Sequence, residues 1–88
     1  MLNIVHDTCF LRQLKNYKKK HYNLDLFYEV VEKLAECENL PSKHKDHALS
    51  GNWQNYRECH IANDWLLIYR TTETKLILVA IGSHDDLF

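Results

Sequence analysis

Three apolar runs in the second half of the chain, "YRECHI" (56–61), "DWLLIYR" (64–70) and "KLILVAI" (75–81), restrict the fold more than any other feature. Each is too short to cross a membrane, the last two are too continuous for a surface helix, and each is bounded by polar or turn-forming residues. That pattern predicts strands covered on both faces. The polar "TTET" between the last two marks a hairpin connection. "LNIV" (2–5) offers a further short strand. Between these regions the period changes to that of a helix: Phe10, Leu14 and Tyr17 recur at i, i+4, i+7 after a cap at Asp7 or Thr8, predicting a helix over roughly 8–20. A second begins at Asn23 or Asp25 and sets Leu26, Phe27, Val30, Val31 and Leu34 against Glu29, Glu32, Lys33 and Glu36, ending before Pro41. Residues 40–55, "LPSKHKDHALSGNWQN", have no sustained period and read as an irregular connection long enough to carry function. The order strand, two helices, three strands predicts an α+β fold: two N-terminal helices packed on one face of a small, mainly antiparallel sheet of three or four strands.

The 88 residues, 45% hydrophobic, suit one domain over 1–88. No run approaches the roughly 18–20 apolar residues of a membrane span, and "MLNIVHDTCFLRQLK" lacks a signal peptide's apolar core, so the expectation is a cytoplasmic protein. Cys9, Cys37 and Cys59 are odd in number and form no CxxC pair, which argues against a disulfide framework and predicts small buried apolar residues. Net charge is only −1, yet Arg12, Lys15, Lys18, Lys19, Lys20 and His21 crowd one segment. That cluster suits either a polyanionic partner or a solvated helix face.

Chemistry points to histidine. His44, His47, His60 and His84 fall in the second half of the chain, and an imidazole transfers protons in both directions near neutral pH. Zinc is disfavoured: Cys59 and His60 are adjacent on a strand and point to opposite faces, and His44 and His47 lie in a loop without partner cysteines. No cofactor is expected. Trp53 and Tyr56 read as packing aromatics. The closing "GSHDDLF" ends on Leu87 and Phe88, apolar residues where a polar tail is the norm.

In order and spacing, "KDHALSGNW", "YRECHIANDWLLIY" and "GSHDDLF" resemble the YafQ group of RelE-type toxins from bacterial toxin–antitoxin systems. The likeness is close over residues 43–88 and limited to length and helical pattern before that. It implies a metal-independent endoribonuclease that cleaves messenger RNA at the ribosome and is silenced by a cognate antitoxin. It also implies a site of His47, His60, Asp64 and His84. His84 is the expected general acid, His47 or His60 the base, and Asp64 either orients an imidazole or assists proton removal. Phe88 is the implied stacking platform for a base, with Trp65, Arg57 and Lys45 as further RNA contacts.

One position departs from the family. Its members commonly carry a phosphate-stabilising arginine on the last strand before the "GxH" turn, and the matching residue here is Ala80. Arg57, Arg70, Lys45 and Lys75 are the candidate substitutes, although Arg57 shares strand parity with Cys59 rather than His60. The competing reading is a catalytically weakened toxin-fold module that binds antitoxin or RNA.

Overall fold

The computed structural model describes residues 1–88. The two periods of the sequence separate as expected: β1 (Asn3–His6), α1 (Thr8–Lys19), α2 (Leu24–Ala35), β2 (His47–Ala48), β3 (Arg57–Ala62), β4 (Trp65–Thr71), β5 (Lys75–Gly82) and a one-turn helix α3 (His84–Leu87). Asp7 caps α1 by accepting from the Cys9 amide, and Asn23 caps α2 through the Asp25 amide. Each satisfies one of the orphan N–H groups at a helix start.

The sheet has five strands in the order β1-β5-β4-β3-β2. β1 runs parallel to β5, and every other pairing is antiparallel. The strand beyond the three or four expected is β2, two residues long, which pairs His47 with Glu58 and Ala48 with Arg57 inside the segment read as irregular. So short a strand is set by its partner and leaves no alternating pattern of its own.

Both helices cover one face. Phe10 and Tyr17 from α1 and Phe27, Val30, Val31, Leu34 and Ala35 from α2 pack on Cys59, Ile61, Trp65, Leu67, Tyr69, Leu76, Leu78 and Ile81. The buried stripe of α2 starts at Phe27, so Leu26, about 100° away around the helix, is 38% exposed rather than buried. Only one cysteine is interior. Cys59 is fully buried, whereas Cys9 and Cys37 are exposed, the latter just past α2 in a left-handed conformation (φ 61°) that turns the chain away from the core.

The second face of the sheet is also covered. Leu66, Ile68 and Ala80 are buried although none belongs to the helix-side cluster. Part of the cover is α3, which folds back so that the Leu87 side chain comes within 3.3 Å of where a Cβ on Gly82 would sit. Pairing of Ile68 with Ala80 but Tyr69 with Leu78 leaves Val79 as an extra residue in β5. This bulge changes the strand's phase: Leu76, Leu78 and Ile81 meet the helices, and Ala80 and Gly82 turn to the other side.

Candidate active site

The face away from α1 and α2 carries two cross-strand rows, because directly paired residues share a side. One row runs His47–Glu58–Ile68–Ala80 and the other His60–Leu66–Gly82. At about 4.8 Å per strand, His60 and Gly82 lie roughly 10 Å apart, with His84 two residues beyond.

Glu58 is the centre of the first half of the site. Its side chain is only 8% exposed, and its Oε1 lies 3.8 Å from His47 Nε2 and 3.5 Å from His60 Nε2. His47 Nδ1 bonds the Lys45 carbonyl. A carbonyl can only accept, so Nδ1 carries the proton and Nε2 is left as the acceptor facing Glu58. An imidazole held in this way can take a proton, and the carboxylate beside it stabilises the imidazolium that results.

The second half gathers where β3 and β5 end and β4 begins. His84 opens α3, and its backbone N–H donates to Asp64 Oδ1 at 3.0 Å. Ser83 caps the same turn, its Oγ accepting from the Asp86 amide at 3.2 Å. The Phe88 ring sits 5.2 Å from the His84 ring and 6.0 Å from Trp53, which in turn meets Tyr56 edge-on at 5.6 Å. Trp53 reaches this position from a 3₁₀ turn (Gly51–Trp53) that starts at Gly51, whose φ of +67° is the left-handed region favouring glycine. Phe88 remains half-exposed, as a stacking surface requires.

His47, His60, Asp64, His84 and Phe88 thus fall on one face and around one end of the sheet. Two other residues do not join them. Trp65 is 3% exposed on the helix side, packed against Tyr17 and Tyr22, so the expected RNA contact is corrected to a core residue. Its neighbour Leu66 is the one that faces the site, because adjacent strand residues alternate. Arg57 also lies on the helix side, where its Nε donates to Asp46 at 3.3 Å while Tyr69 donates to the same oxygen at 2.6 Å. The Tyr69 and Asp46 contacts push the Arg57 guanidinium above its ordinary range and commit it to this network. Lys45 is exposed in a left-handed turn (φ 46°) and lines a surface cleft of about 240 Å³ with Lys43, His44 and His60. No group of three His, Cys, Asp or Glu side chains is arranged to hold a metal ion.

Glu58 and Trp53 are the site residues that the sequence reading passed over. Strand period was the available signal for Glu58, which stands two residues before His60 and so shares its face. Arg70 stands out among the cations weighed against Ala80. It is exposed, makes no ion pair, and continues the Leu66–Ile68 side of β4.

The chain is thus a small α+β domain with helices on one face of the sheet and, on the other, histidines, a buried carboxylate and paired aromatic rings, groups suited to proton transfer. The sequence model described as "Bacterial toxin of type II toxin-antitoxin system, YafQ" matches residues 2–88, and the chain belongs to that family. It is 34% identical over 87 residues to the mRNA interferase toxin YafQ of Escherichia coli K12, covering 98% of this chain and 95% of the relative. A metal-bound toxin from Helicobacter pylori superposes over the full length of both chains with a TM-score of 0.94 at 42% identity. YafQ in the E. coli DinJ–YafQ toxin–antitoxin complex superposes with a TM-score of 0.90 at 31% identity, over 99% of this chain and 97% of that one.

Proposed function

We propose that this protein is the toxin of a type II toxin–antitoxin pair and acts as an endoribonuclease on messenger RNA, by proton transfer alone. The observation that carries this reading is the placement of His47 and His60 on either side of Glu58, with His84 on the same face beyond them. The activity named for the E. coli relative supports it.

In the reaction, an imidazole of the His47–Glu58–His60 group takes the proton of a ribose 2′-OH. We assign this to His47, whose Nε2 is the free acceptor. The 2′-oxygen bonds to phosphorus, the bond from phosphorus to the 5′-oxygen breaks, and the His84 imidazolium gives its proton to that leaving oxygen. Asp64 holds the His84 backbone, and Phe88 and Trp53 stack the neighbouring base. Arg70 and Lys45 supply positive charge toward the phosphates, the part that Ala80 cannot play.

The test is incubation of the purified protein with a defined RNA in EDTA. Cleavage is expected to continue and to leave a 2′,3′-cyclic phosphate or its 3′-phosphate with a 5′-hydroxyl. His84→Ala is expected to keep the fold and lower the rate by about 10²–10⁴, the range for a positioned acid or base. Unchanged cleavage in that variant, or its loss in EDTA, overturns the mechanism. If the parent leaves RNA intact yet binds its antitoxin, the protein is the inactive binding module that Ala80 favours.

The expected partner is a cognate antitoxin, as DinJ is in the solved E. coli complex, and the expected substrate is mRNA at the ribosome. Expression of the protein alone in a bacterial host should slow translation, and co-expression of the antitoxin should restore it.

A further inference from the structure

The catalytic assignment of His84 and Phe88 rests on a single helical turn, and a helix of four residues has no stability of its own. Contacts from distant parts of the chain must hold it. The Asp64 hydrogen bond fixes its first residue, and beyond it Leu87 and Phe88 are held to the rest of the fold by packing alone, near Gly82 and against Trp53.

Helix α1 supplies the missing anchor. Gln13 and Tyr17, one turn apart on the same helix face, reach the end of β5 and the turn that follows. Gln13 Oε1 accepts from the Ile81 amide at 2.9 Å, and Tyr17 Oη donates to Asp86 Oδ2 at 3.2 Å. The Tyr17 ring cannot swing away, because it packs 4.7 Å from Tyr22 and 5.6 Å from Trp65 and is 6% exposed. Its hydroxyl is therefore a fixed point to which a surface carboxylate can be tied. The two groups respond to each other as such a bond requires. Burial and then Asp86 push the Tyr17 hydroxyl above its ordinary range, while Ser83 and Tyr17 hold the Asp86 carboxyl below its own.

We propose that the hydrogen bond between Tyr17 and Asp86 is a positioning latch, which fixes the turn bearing His84 and Phe88 at the end of the face away from α1 and α2 and so sets the rate of the chemical step without touching RNA. The proposal rests on the nuclease reading of the site. Neither residue faces the His47–Glu58–His60 group. Their influence passes through the turn, and a misplacement of about 1 Å at an acid can cost as much as 10² in rate.

The test compares Tyr17→Phe, Asp86→Ala, their combination and Asp86→Asn with the parent, reading kcat and KM on a short RNA and amide hydrogen exchange at Leu87 and Phe88. Both of those amides bond within the turn, to Ser83 and His84. Each of the first two variants should lose about tenfold in kcat with KM within about twofold, and the double variant should lose no more than either single, because one bond is removed in all three. Asp86→Asn retains an oxygen that can accept from the phenol and should keep most of the parental kcat. Exchange at Phe88 should quicken in step with the loss of kcat. Parental kcat in both Tyr17→Phe and Asp86→Ala, or additive losses in the double variant, overturns the latch. A parent that cleaves no RNA defeats the nuclease reading instead, and the exchange data then decide the latch alone: quicker exchange at Leu87 and Phe88 in both variants supports it, and unchanged exchange overturns it.

Discussion

Asp64 accepts a hydrogen bond from the His84 amide, and a carboxamide oxygen could do the same, whereas only a carboxylate could take up a proton. Two substitutions therefore separate its roles. Asp64→Asn is expected to keep cleavage within about threefold of the parent, and Asp64→Ala to lose roughly 10–100-fold through displacement of His84. If asparagine is as damaging as alanine, Asp64 moves a proton and the anchoring role is wrong. The same residue shows what a sequence can and cannot convey at this scale. His47, His60, Asp64 and His84 were grouped by the resemblance in motif order, and strand parity had already set Arg57 apart. That Asp64 meets a backbone amide depends on where a turn twenty residues later comes to rest. Glu58 went unread because a glutamate next to Arg57 looks like an ordinary surface charge, although its parity with His60 was there to be used. Trp65 was misplaced for the opposite reason, since adjacency to Asp64 in a motif says nothing about which face a side chain takes.

At the scale of elements, α1 and α2 were legible because each repeats its period, and the three long strands because each is a short run bounded by polar or turn-forming residues. β2 was hidden by its brevity. The parallel pairing of β1 with β5 is a long-range choice that no local pattern records, and the bulge at Val79 shifts which residues of β5 face the site. Two expectations follow for the connection between β5 and α3. A methyl at Gly82 would lie 3.3 Å from both the Asp86 Cβ and Leu87, close enough to push α3 off the sheet by a few tenths of an ångström. Gly82→Ala should thus lower cleavage by about tenfold with little change in thermal unfolding, a dissociation that enzyme assay and calorimetry together would reveal. The second concerns pH. Asp86 is held below its ordinary value of 3.8, so its stabilising contribution is present above that pH and lost as pH falls through the lowered value. Tyr17 is held above its ordinary 10.0, so its contribution is present below that pH and lost as pH rises through the raised one. The NMR signal of the Asp86 side-chain carboxyl carbon should titrate below the ordinary 3.8, and Tyr17→Phe should move that titration back toward it.

For the whole molecule, the decisive feature is a sheet covered on both sides, with chemistry confined to one of them. The helix side is a barrier, and Cys59 reports on it. Its thiol is fully buried beneath α1 and α2, and burial raises its pKa to about 12, so it is neither accessible nor ionised at neutral pH. Cys9 and Cys37 are exposed. A thiol reagent at pH 8 should accordingly modify two cysteines in the native protein and all three in denaturant, and the slow reaction of the third should track global unfolding. That rate separates lost chemistry from lost structure. His84→Ala and Tyr17→Phe act on the other face and should leave Cys59 protected. Tyr69→Phe removes the 2.6 Å bond from the phenol to Asp46 and leaves that carboxylate to Arg57 alone. The net worth of such a bond, about 1 kcal/mol, corresponds to roughly fivefold faster Cys59 labelling when labelling follows the open population. Three thiols reacting together in the native parent would refute the covered-sheet account, since no arrangement with Cys59 under two packed helices allows it.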